Sequence, residues 1–154
     1  MIILKGANEK MPYSYNIDME VGCVFVKAWG KISNQELIDY INQIYNEPIL
    51  PKPFKKLVDL CDVTDYVVSY DDAEKSRDVL SRYNEKLKNG RIAIAAPSDI
   101  TYGVSRMLGS INSDIVNTQT FRDINEAFEF LNILPFDYTI KYFNNALYAR
   151  KCVA

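Results

Sequence analysis

The chain has 154 residues, 48% of them hydrophobic and 25% charged, with a net charge of −2 and a pI of about 5.2. That is enough apolar material for one domain with a real core, while the missing basic excess argues against nucleic-acid binding by bulk phosphate attraction and against a polybasic membrane anchor. There is no histidine, which removes every His-dependent triad and the commonest metal ligand.

Residues 1–12 form an N-terminal segment whose apolar run, Ile2 to Leu4, is too short for a signal peptide. Nowhere does the chain approach the roughly 20 apolar residues that span a bilayer. Tyr13, Tyr15, Ile17 and Met19 alternate with Ser14, Asn16, Asp18 and Glu20, which predicts a half-buried strand with one wet face. Val21-Gly22 is a turn. Cys23 to Trp29, apolar except for Lys27, is the more central strand of a hairpin, and Gly30 ends it. Ser33 and Glu36 make a capping box. Leu37, Ile38, Ile41, Ile44 and Tyr45 follow at helical spacing, and the helix stops near Glu47 because Pro48 disfavours helical geometry before it. Pro48, Pro51 and Pro53 stiffen the connector.

Leu57 to Cys61 reads as a short strand, followed by an acidic loop with Asp62, Asp65, Ser69, Asp71 and Asp72. A second helix starts near Asp71 with Ser69 and Asp72 as its cap, and buries Ala73, Leu80, Tyr83 and Leu87. Asn89-Gly90 stops it, with glycine in the left-handed conformation. Arg91 to Ala96 is a strand whose alanines let a helix pack close. Ser98 or Asp99 caps a third helix carrying Val104, Met107, Leu108 and Ile111. Ile115 to Phe121 is a strand, and Asp123 with Glu126 opens a fourth helix with Ile124, Ala127, Phe128 and Leu131. Residues 134–154 are an aromatic tail in which Ile140, Phe143 and Leu147 are spaced for a short helix. Such a helix must dock on residues 13–133 or on a second copy, a homodimer. The order β-β-α-β-α-β-α-β-α predicts an α/β fold with a mixed sheet, parallel in its middle.

This order, over about Tyr13 to Ile133, resembles the STAS-like fold of bacterial anti-sigma-factor antagonists and the related SpoIIAA-like, or STAS/SEC14, group. The best local matches are Leu57-Val58-Asp59-Leu60 leading into acids and a helix, and Lys88-Asn89-Gly90-Arg91 leading into Ile92-Ala93-Ile94-Ala95. The resemblance implies a partner-binding edge at the start of the second helix, where the antagonists carry a serine phosphorylated by a partner kinase. The corresponding stretch here, Val67-Val68-Ser69-Tyr70-Asp71-Asp72, has the serine but neither the preceding Asp nor the following Gly. The SEC14-like comparison implies instead a cavity for an apolar or lipid-like ligand.

Read chemically, Asp62, Asp65, Ser69, Asp71 and Asp72 form an anionic surface for another protein, such as a kinase or regulatory factor. Ser69 is a candidate phosphorylation site, although a plain N-cap is the preferred explanation, since the cap pattern is already written in the sequence and Asp71 and Asp72 would repel a phosphate. The acids match no EF-hand spacing, so a solvated loop is preferred to a cation site. No metal or cofactor is expected. Phe25, Trp29, Tyr66 and Tyr102 are candidates for lining a small apolar pocket, or else core and rim packing. The cysteines, Cys23, Cys61 and Cys152, contain no CxxC and fit a reducing cytoplasm. The first functional reading is a non-catalytic bacterial regulatory module that binds another protein. The alternative is a binding protein for a small apolar or lipid-like ligand. A carboxylate-dependent enzyme ranks last, because no second acid or nucleophile is placed with the first.

Overall fold

The computed structural model describes residues 12–135. The N-terminal segment up to Met11, and the tail from Phe136 with Cys152 and the docking helix expected there, lie outside the described residues.

The elements are β1 (Tyr13–Asp18), β2 (Cys23–Ser33), α1 (Asn34–Tyr45), β3 (Lys55–Val67) and α2 (Tyr70–Leu80). A 3₁₀ turn at Ser81–Tyr83 leads into the one-turn α3 (Asn84–Leu87), then come β4 (Arg91–Ala95), α4 (Asp99–Ile111), β5 (Asn117–Phe121) and α5 (Ile124–Leu131). The described strands form one sheet in the order β1-β2-β3-β4-β5, with β1 antiparallel to β2 and all other pairs parallel. The mixed α/β architecture and the alternating order are as the sequence predicts.

The strand order from β2 to β5 never reverses. Parallel crossovers share one hand, so a monotonic order puts every crossover helix on the same face. Leu37, Ile41 and Ile44 of α1, Ala73 and Leu80 of α2 and Leu108 of α4 accordingly share a core with Val24, Val26, Ile92 and Ile94 of the sheet. The last helix, α5, crosses to the other face. There Ile124, Ala127, Phe128 and Leu131 pack on Cys23, Phe25, Leu57, Ala93 and Ala95, and the small alanines allow the close approach. This burial pushes the Cys23 thiol up to about 12.

Coverage of both faces corrects the expected wet side of β1. Asn16 and Asp18 are buried, and Asp18 caps the turn by accepting from the Val21 N–H at 3.0 Å. Gly22 adopts φ +77° in that turn, as expected of glycine. Gly30 does not end β2. It takes φ +68° inside the strand, at a register shift between Gly30 and Lys31, and the strand continues to Ser33. At the stop before β4, Asn89 rather than Gly90 is left-handed, at φ +60°. Gly90 is required for space: a Cβ there would lie 2.9 Å from the Leu87 carbonyl oxygen and 3.0 Å from Phe54.

The larger correction concerns β3. Asp62 and Asp65 do not lie in a loop but in a 13-residue strand that pairs with the extended end of β2 as far as Ser33↔Val67. Only Val68 and Ser69 connect β3 to α2.

Candidate functional site

Residues 55–59 of β3 lie between β2 and β4, covered on both faces. Alternation along the strand turns Lys56, Val58 and Leu60 toward the three-helix layer and Leu57 toward α5. In register, Lys56 sits between Val24 of β2 and Ile92 of β4. An ammonium side chain is thereby carried into an apolar layer, where Lys56 is only 4% exposed.

Lys56 Nζ donates to the Tyr45 hydroxyl at 2.5 Å. It also lies 4.6 Å from the centre of the Tyr40 ring and 4.8 Å from that of Tyr45, within cation–π range. Among the described residues no carboxylate comes within ion-pair distance of it. Burial alone pushes its pKa from 10.5 down to about 7, because a charged amine is poorly solvated there. The same desolvation drives the phenols of Tyr40, Tyr45 and Tyr66 well above their ordinary value, so all three stay protonated. The Tyr40 hydroxyl is buried without a hydrogen-bond partner.

Lys56 and these three tyrosines line a cavity of about 80 Å³ between the sheet and the helices. Leu37 and Ile41 of α1, Ser76 and Leu80 of α2, Leu108 and Asn112 at the end of α4, and Ile92 and Ile94 of β4 complete much of its wall. Among the described residues no Asp or Glu lines it. A smaller cavity of about 40 Å³ shares Leu37, Tyr40, Val58, Leu60 and Tyr66 with it and extends toward Tyr13 and Glu36. Glu36 is occupied there: its carboxylate accepts from the Ser33 hydroxyl and, at 2.9 Å, from the Ser33 N–H, which holds its pKa low.

The candidate residues named from the sequence do not converge on one place. Asp62 is bound by Lys27 at 2.9 Å, and the same ammonium lies 3.5 Å from the fully buried Asp59. Asp65 is half-buried in β3. Ser69 is the N-cap of α2, its hydroxyl accepting from the Asp72 N–H at 3.1 Å while the Asp72 carboxylate accepts from the Ser69 N–H at 3.2 Å. Asp71 is exposed in the first turn. Three of the five acidic-edge candidates, Ser69, Asp71 and Asp72, therefore do cluster at the α2 N-terminus, flanked by Val67 at 49% and Tyr70 at 59% exposure.

Of the four aromatic candidates, Tyr66 alone lines the cavities. Phe25 is packed on the α5 face. Trp29 is 38% exposed on β2. Tyr102 is half-buried on α4 with the Arg122 guanidinium 4.3 Å over its ring. Lys56, Tyr40 and Tyr45 were not among the candidates. Their signal was the period-two step from Lys56 to Val58 and Leu60, which puts the lysine on a buried face once the strand starts at Lys55.

No protein-family model matches the chain, and no curated protein matches it. Among solved structures, it is similar to an uncharacterised protein of the DUF3478 family from Shewanella loihica PV-4, described as having a SpoIIAA-like fold. The similarity covers 85% of this chain and 92% of that one, at 15% identity and a TM-score of 0.45. Among the described residues no helix is long and apolar enough to cross a membrane, and no group of three or more potential metal-ligating residues occurs.

Proposed function

We propose that this chain is a non-catalytic binding module that holds a small, mainly apolar molecule in the cavity between the sheet and α1, α2 and α4. One observation carries the reading: a buried lysine with no acidic partner among the described residues stands in the wall of a mainly apolar cavity. Ligand sites typically combine apolar walls with a few polar groups, and a buried charge that is left unpaired is costly enough to need a reason. The strand order supports the interior site over the sheet edge. Ligand crevices at the carboxyl ends of parallel strands form where the order reverses, and here it does not.

The test is a titration of isotopically labelled protein with 1-propanol, followed by NMR. Binding predicts saturable shifts in the amides of Tyr40, Ile41, Lys56, Val58 and Leu80. Shifts scattered over the surface, or none at millimolar concentration, refute the reading.

A second reading, protein binding at the start of α2, is favoured by the exposure of Val67 and Tyr70 beside Asp71. The two readings are compatible, because α2 supplies both that edge and, through Ser76 and Leu80, part of the cavity wall. Regulation would follow from a ligand that alters how α2 sits. Replacing Asp65 and Asp71 with Asn should weaken capture of a regulatory partner and leave the melting temperature unchanged.

A further inference from the structure

We infer that the cavity selects a short-chain monocarboxylate, whose carboxylate pairs with the Lys56 ammonium, takes the Tyr40 hydroxyl as a second donor and leaves the alkyl chain among Leu37, Val58 and Leu80. The inference rests on the cavity-binding reading above and names the ligand's head group.

The donor inventory points to an acceptor. An ammonium has three N–H donors and no acceptor. One goes to Tyr45, and the other two, beside the Tyr40 and Tyr45 rings, have no hydrogen-bond acceptor among the described residues. The buried Tyr40 hydroxyl is likewise unspent. The Asn112 side-chain oxygen, also unpaired in the wall, belongs to an amide that can turn to present its NH₂ instead. A carboxylate is an acceptor with two oxygens and cancels the ammonium charge.

The chain provides its own comparison. The other buried lysine among the described residues, Lys27, faces two aspartates, at 2.9 and 3.5 Å. Among the described residues no equivalent anion faces Lys56, and a cavity lies there instead. Size limits the rest of the ligand. An apolar cavity of about 150 Å³ holds the six carbons of benzene, so 80 Å³ suits roughly three non-hydrogen atoms, and the adjoining cavity of about 40 Å³ roughly two more.

The charge state follows from the groups that surround the amine. Tyr40 and Tyr45 face it from α1, Tyr66 from β3 and, through the smaller cavity, Tyr13 from β1. All four phenols are raised by burial and remain neutral. Val24 and Ile92 flank it in the sheet, and the described cavity-lining residues of α2 and of α4 with its cap, Ser76, Leu80, Leu108, Gly109 and Asn112, carry no charge. Glu36, in the smaller cavity, is held anionic by Ser33. Lys56 is therefore the group whose charge changes near neutral pH, and a bound carboxylate stabilises its protonated form.

The experiment compares propanoate with 1-propanol on the wild-type chain by NMR titration at pH 6 and pH 9, and repeats both on Lys56→Met. Propanoate should bind at least about tenfold tighter than 1-propanol at pH 6 and lose about tenfold or more by pH 9, as the amine loses its proton. The alcohol should be indifferent to pH. Lys56→Met should abolish the preference and keep the alcohol. Equal affinity of both probes at pH 6 overturns the carboxylate assignment while leaving the cavity reading intact. Failure of both probes to shift the cavity residues overturns the two together. Should Lys56→Met not fold, the wild-type comparison at two pH values decides alone.

Discussion

Replacing Lys56 with Met keeps the aliphatic stem and removes the amine. In the folded chain that amine titrates near 7, against 10.5 for an unperturbed lysine. Between those values the unfolded state binds more protons than the folded one, so stability attributable to this residue rises with pH. Below pH 7 the full cost of burying the charge is present, and above 10.5 it is gone. The gap corresponds to a ceiling of about 5 kcal/mol. Leaving the Tyr45 hydroxyl without its partner returns about 1–3 kcal/mol against the variant. Lys56→Met should therefore be more stable than wild type by about 2–4 kcal/mol at pH 6, and the advantage should shrink steadily to nothing or reverse by pH 10. Urea unfolding of both proteins at one-unit steps from pH 6 to 10 measures this difference, and titrations common to both proteins cancel. A difference that stays flat with pH, or a Lys56→Met protein less stable at pH 6, would refute the argument that the amine is desolvated and unpaired.

The remaining predictions use the same measurement or simpler ones. Tyr40→Phe removes a buried hydroxyl that has no partner, so its stability should stay within about 1 kcal/mol of wild type while its affinity for propanoate falls. Ser69→Ala removes the cap of α2 and should lose about 1 kcal/mol in urea unfolding. Gly90→Ala forces a Cβ against the Leu87 carbonyl and Phe54 and should lose about 2 kcal/mol or more, whereas Gly103→Ala, in open space on α4, should gain about 0.5–1 kcal/mol. Cys23, whose thiol is buried and raised to about 12, should be recovered unmodified from native protein treated with iodoacetamide and mapped by mass spectrometry.

The element order was legible because the helices announce themselves. Ser33–Glu36 and Ser69–Asp72 carry capping pairs, and each opens an apolar stripe of helical period. The length of β3 was not legible. Asp62, Thr64 and Asp65 break the apolar run after Cys61, and the reason they still lie in a strand is non-local: β2 continues past Gly30 and offers a pairing partner as far as Ser33. The site was hidden by the same error. With a strand beginning at Leu57, Lys55 and Lys56 read as its polar flank. With the strand beginning at Lys55 and helices on both sides of the sheet, Lys56 and Asp59 both had to be buried, and only their surroundings tell the paired residue from the unpaired one. The aromatic candidates separate for a related reason. Composition marks Phe25 and Tyr66 alike, but the parity of strand position sends one under α5 and the other into the cavity wall.

Because the strand order from β2 to β5 never reverses, α1, α2 and α4 form one continuous roof over the chamber. The rungs of the sheet beneath run from strand to strand and involve none of these helices. A guest slightly too large would be felt first as loosened amide protection in α2, whose leading end stands at the molecule's surface, and last in the strands. Occupancy inside could thus be read from outside at Ser69, some residues away from anything the guest touches.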